Sequence, residues 1–180
     1  MFANQSARYG LVQITLHWLI AFAVFGLFGL GLWMVELDYY SAWYRTAPDI
    51  HRSIGVIVVS LMVFRLVWRF VNPSVKPLSS HHNWEVKLAK LTHGLMYLLI
   101  VMLGISGYMI TTASGQPLMV FDWFAIPAIN FGIEYQEEIA GDLHGFFAWS
   151  LIALVGLHIV GALKHHFIDK DATLKRMLKP

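Results

Sequence analysis

Nine histidines punctuate a chain of 180 residues that is otherwise strongly apolar. Those at 17, 51, 93, 144 and 158 lie inside or at the edge of long hydrophobic stretches. A neutral imidazole placed in hydrocarbon needs a partner, because an unpaired polar group there costs several kcal/mol. His144 and His158 share one stretch and stand fourteen residues apart. On a helix that spacing keeps them within roughly 40° of one face and about 21 Å apart along the axis. One helix therefore offers two imidazoles in line, one towards each side of a bilayer, for ligand chemistry.

The elements that position them follow from composition. The chain is 57% hydrophobic and only 13% charged, with a mean hydropathy of +0.58. Soluble domains carry about twice that share of charge. Four stretches are long enough to cross a hydrocarbon core of about 30 Å: residues 12–35, 50–71, 88–111 and 142–167. No internal repeat and no composition break divides them, so residues 1–180 read as one all-α, integral membrane four-helix bundle. The chain contains no cysteine, which excludes disulfides, iron–sulfur clusters and thioether attachment of haem. The first apolar run is too long for a signal peptide core and lacks a small-x-small cleavage pattern, so no cleaved leader is expected.

Lys and Arg set the orientation. The N-terminus, the second connection and the C-terminal tail, with the adjacent span ends, hold eleven of the thirteen. Both termini are therefore expected on the cytoplasmic side, in a multi-pass protein of a bacterial inner membrane. That topology gives each histidine a depth. His17 and His158 fall at the inner level; His51 and His144 fall at the outer level. Each pair comes from two different helices.

Zinc would ask for more ligands at each level, and there is no thiolate in the chain and no carboxylate within the core of any span. Two imidazoles suffice for a haem iron, because the porphyrin supplies four nitrogens. The expectation is two non-covalent b haems, with His17 and His158 as axial ligands of the inner iron and His51 and His144 of the outer one. Interhelical hydrogen bonding alone, and a histidine-lined proton or metal transporter, are the alternatives weighed against it.

Particular motifs strengthen the reading. Leu16-His17-Trp18, Ile50-His51-Arg52-Ser53-Ile54-Gly55, Val63-Phe64-Arg65-Leu66, Leu91-Thr92-His93-Gly94, Leu143-His144-Gly145, Gly156-Leu157-His158 and the run from Leu163 to Asp171 occur in order over all four stretches. In these the chain resembles the prokaryotic cytochrome b561 family, related to the cytochrome b subunits of nickel hydrogenases. The resemblance implies a four-helix bundle with two b haems. Within the family the likeness is to membrane superoxide oxidases, and this implies electron transfer from superoxide at the outer face to ubiquinone near the inner face.

The remaining polar residues are read against that implication. His165 follows His158 by seven residues on the same face, and His93 lies at a similar inner depth. Both are candidates to bind a quinone. Arg52 on the outer side and Arg65 on the inner side, with Arg69 beside it, are candidate partners of haem propionates. Arg45 and Arg52 are the cations available to attract an anion outside. Eight carboxylates in or beside the outer connections oppose them, a balance that suits a cationic donor protein. The expected activity is single-electron transfer between a periplasmic-side partner, superoxide or a redox protein, and the ubiquinone pool. In the non-enzymatic alternative the protein anchors a periplasmic dehydrogenase or soluble cytochrome and conducts its electrons. Besides membrane lipid, no other class of partner is implied, and no nucleic acid.

Overall fold

The computed structural model describes residues 2–179. Among them are four long helices: α1 (Leu11–Met34), α2 (Thr46–Val71), α3 (Asn83–Thr112) and α4 (Gln136–Phe167). All four are long and apolar enough to cross a membrane. In hydrocarbon a spanning segment must satisfy its backbone hydrogen bonds internally, so a helix is the form such runs take.

α2, α3 and α4 outrun the apolar stretches, because polar residues at their ends continue the backbone ladder into the interface. α2 begins at Thr46 and tolerates Pro48 within its first turn, where no intrahelical N–H bond is lost. It stops before Pro73, which holds Asn72 extended at φ −109°, ψ 152°. α3 begins five residues ahead of its apolar run, where the Glu85 carboxylate accepts the backbone N–H of His82 at 2.9 Å. α4 begins six residues early, with Glu137 and Glu138 in its first turn and Lys164, His165 and His166 in its last. That order of charge complements the helix dipole at both ends.

α1 packs along α2, and α3 along α4. The buried centre is formed by Ile20, Val58 and Met62, with Leu27, Ile54, Tyr97 and Ile100 around it. It therefore belongs to α1, α2 and α3. α2 and α3 approach closely at Gly104, where an added Cβ would stand 2.8 Å from Val59 Cγ2. Small residues at such crossings let backbones approach, which is how helices gain contact in lipid. α1 meets α4 through an edge-to-face pair of Phe28 and Trp149, ring centres 5.0 Å apart.

The third connection departs from the loop expected over 112–141. It contains an antiparallel hairpin, β1 (Leu118–Val120) and β2 (Phe124–Ile126), in which Leu118 faces Ile126. Leu118 and Val120 are buried, while Phe121, Trp123 and Phe124 stay exposed. β1 lies against α2. Phe121, in the turn, adopts φ +45° and donates its N–H to Ser53 Oγ at 2.8 Å. That bond holds a backbone conformation a bulky residue rarely adopts. Tyr108 hydroxyl donates to Pro127 O at 2.6 Å and accepts from Ile129 N at 2.9 Å, tying the rest of the connection to α3.

At the opposite end the termini and the second connection meet. Lys76 N donates to Ser6 O at 3.0 Å, and Trp18 Nε1 donates to Met177 O at 2.7 Å. Both termini thus lie at one end of the bundle.

Candidate functional site

Four of the histidines form two facing pairs. His17 on α1 faces His158 on α4 with ring centres 6.3 Å apart. His51 on α2 faces His144 on α4 with ring centres 6.1 Å apart. Two imidazoles bonded to opposite sides of one metal ion, at about 2 Å each, place their ring centres roughly 6 Å apart. Both pairs have that separation. All four rings are partly exposed within the bundle, so neither pair is sealed into a close-packed core.

Local features hold the outer pair. An added Cβ on Gly31 would come within 3.3 Å of His51 Cε1, and one on Gly107 within 3.3 Å of His144 Cε1. Each ring lies over a glycine of a neighbouring helix. Ser106 Oγ lies 3.0 Å from His144 Nδ1, and this engages one ring nitrogen and leaves Nε2 for another partner. His51 Nδ1 is buried with no hydrogen-bond partner. The hairpin closes over this level, since Ser53, which holds its turn, lies two residues beyond His51.

At the inner level a third imidazole joins. His93 of α3 has its ring centre 5.0 Å from that of His158. His165 points elsewhere. Its ring is 4.5 Å from His81, and its Nδ1 lies 2.8 Å from Asp169 Oδ2 and 3.1 Å from Asp171 Oδ2. The two quinone candidates therefore occupy different surroundings, His93 beside the inner pair and His165 in a carboxylate cluster.

The candidate propionate partners share one property. Arg52 and Arg65 each bury an Nε without a hydrogen-bond partner. Arg52 also pairs with Asp49, which reduces its value for attracting an anion. The Arg65 guanidinium lies 5.9 Å from the centre of the Tyr97 ring. Buried cationic donors left unpaired fit an anionic group nearby.

Sequence reasoning passed over Gly107, Ser106 and the role of His81. An isolated glycine or serine in a span carries no periodic signal. His81 and Asp171 are ninety residues apart, and only the fold joins them.

Four apolar helices holding paired imidazoles at two levels define a membrane haem protein of the electron-transfer class. The chain belongs to the prokaryotic cytochrome b561 family, whose model matches residues 8–180. It is 48% identical over 177 residues to cytochrome b561 homolog 2 of Escherichia coli K12, covering 98% of this chain and 94% of that one. It is 29% identical to cytochrome b561 homolog 1 of the same organism, covering 95% and 97%. A probable superoxide oxidase, CybB, of Yersinia pestis is also 29% identical, over 95% of this chain and 96% of its own. Membership implies haem b, electron transport and a multi-pass bacterial membrane protein. The facing imidazoles, the glycines beneath His51 and His144 and the unpaired arginine Nε atoms fit that group.

Proposed function

We propose that the protein carries two b haems, the inner between His17 and His158 and the outer between His51 and His144, and moves single electrons between an outer partner and ubiquinone. The observation that carries this is the two facing imidazole pairs at 6.3 and 6.1 Å, each joining two helices. Haem b in such a setting supplies reversible one-electron chemistry at a potential governed by its axial ligands and burial. α4 spaces the two levels by about 21 Å. Arg52 and Arg65 offer their unpaired Nε atoms to propionates.

His93 supports a quinone site at the inner level. It stands next to His158, and an imidazole there can donate a hydrogen bond to a quinone carbonyl and pass on a proton. His165 and its carboxylate neighbours lie towards the basic end of the bundle, where both termini meet. Complete reduction of one ubiquinone takes two electrons and two protons, hence two superoxide anions oxidised to dioxygen. Similarity to the Yersinia relative, named a probable superoxide oxidase, supports superoxide as the outer donor.

A specific observation favours the second reading, a conduit for a periplasmic dehydrogenase or soluble cytochrome. Arg52 is paired with Asp49, so the outer face offers little free positive charge to steer an anion. The reduced-minus-oxidised spectrum, with haem counted per chain, tests the common core: two haems are expected, and His51→Ala or His144→Ala should remove one. A colourless protein from haem-sufficient cells would sink the proposal. Superoxide supplied to the pure protein with excess ubiquinone then separates the readings. Haem reduction faster than dismutation supports the oxidase, and its absence leaves the conduit.

A further inference from the structure

At the end of the bundle where both termini lie, His81, His165 and Asp171 bring one ligand atom each within 4.8 Å of one another. They come from the second connection, the last turn of α4 and the C-terminal tail. His81 Nε2 lies 3.0 Å from Asp171 Oδ2, and His165 Nδ1 lies 3.1 Å from the same oxygen. The three side chains are 15%, 15% and 8% exposed, so this is a shielded cluster and not a solvated face.

We infer that His81, His165 and Asp171 form a binding site for a divalent transition-metal ion of the zinc class, separate from both haem levels. Two imidazoles and a carboxylate are a ligand set that zinc accepts with a fourth position left to water. His165 Nδ1 is buried beside two carboxylate oxygens yet aligned for a hydrogen bond with neither. A cation between the groups would satisfy that nitrogen and the carboxylate together. Asp171 is held below the usual carboxylate range: burial raises it, but hydrogen bonds from Thr173 and His81 outweigh that.

The neighbouring triad of Glu85, His165 and Asp169 does not compete. Lys164 Nζ sits 2.6 Å from Glu85 Oε1 and 2.7 Å from Asp169 Oδ2, and is already paired with both. Asp171 has no such lysine partner among the described residues. The backbone prepares the site as well. Asp171 N donates to His165 O at 3.0 Å, and Thr173 N donates to Asp171 Oδ1 at 2.8 Å, fixing the tail as it turns back over α4. A bound ion would clamp residues 168–179 to the second connection.

The test uses the haem-loaded protein in detergent, dialysed to equilibrium against buffered free Zn²⁺, with zinc and iron counted by mass spectrometry. One zinc per chain is expected in addition to haem iron. His81→Ala, His165→Ala and Asp171→Asn should each weaken retention by about a hundredfold or more, since each removes a direct ligand. His82→Ala should leave it unchanged, because that exposed side chain lies outside the cluster. An unchanged haem spectrum in every variant shows that the bundle has folded. Digestion with a lysine-specific protease gives a second readout, with zinc expected to slow cleavage in the tail of the unmodified protein but not of Asp171→Asn. Absence of stoichiometric zinc at micromolar free ion, or retention by the three variants equal to that of the unmodified protein, would overturn the assignment.

Discussion

Replacing Gly107 by alanine should disturb one level of the bundle and leave the other untouched. The new Cβ would stand 3.3 Å from His144 Cε1 and 3.6 Å from His144 Nδ1. Carbon atoms pack best at about 3.5–4.0 Å, so the ring must withdraw by a few tenths of an ångström. His144 has little freedom to do so, because Ser106 Oγ stands 3.0 Å from its Nδ1 and α4 carries it opposite His51. Tilting a side chain off its preferred rotamer costs about 0.5–1.5 kcal/mol. At 1.4 kcal/mol per tenfold, retention of the outer haem should weaken by roughly two- to tenfold. The assay is haem per chain after washing with a haem-scavenging protein, with a redox titration resolved into two components. One component should lose amplitude or shift, and the other should keep both amplitude and midpoint. Gly31→Ala should act on the same component from the His51 side, where the Cβ contact is again 3.3 Å. Equal changes in both components, or opposite components affected by the two variants, would refute the assignment of these glycines to one level.

Gly104→Ala tests helix packing without touching a histidine. Its Cβ would meet Val59 Cγ2 at 2.8 Å, and overpacking of this kind costs about 1–3 kcal/mol. The thermal midpoint in detergent should fall, and Val59→Ala added to Gly104→Ala should restore most of it; a double variant no better than the single would mean the crossing relaxes by another route. Trp18→Phe removes the bond to Met177 O and should expose the C-terminal tail to protease at a stability cost of about 1 kcal/mol, with unchanged cleavage counting against the contact. Asp171 is held low, so its contribution is complete above the ordinary carboxylate value and is lost as pH falls through the lower folded value. With zinc removed by a chelator, the advantage of the unmodified protein over Asp171→Asn in tail protection should therefore persist at pH 5 and vanish only below about pH 4. Disappearance of that advantage between pH 7 and pH 5 would show that the histidines, and not the carboxylate, govern the contact.

Much of this protein is written into its order of residues because lipid leaves few choices. An apolar run of some twenty residues must close its own backbone hydrogen bonds, so four runs become four helices. Successive spans cross the bilayer in alternate directions, and the distribution of Lys and Arg then assigns a depth to every histidine. The 3.6-residue period keeps His144 and His158 on one face of α4. These properties are local or one-dimensional, and so they can be read before any contact is known. The helix ends were less legible, because polar residues such as Glu85 and Gln136 extend α3 and α4 beyond the apolar stretch.

Contacts between distant parts of the chain belonged to the tertiary structure alone. The hairpin could not be anticipated from 118–126, since two strands of three residues carry almost no pattern and Phe121 reaches φ +45° only with Ser53 to hold it. Whether a glycine lies under an imidazole, as at Gly31 and Gly107, depends on how two helices are rotated against each other. His81, His165 and Asp171 are unremarkable interfacial residues until the tail folds back across α4. Depth is set by position along each helix, which the order of residues contains. Lateral neighbours are set by packing between helices, which only the assembled bundle decides.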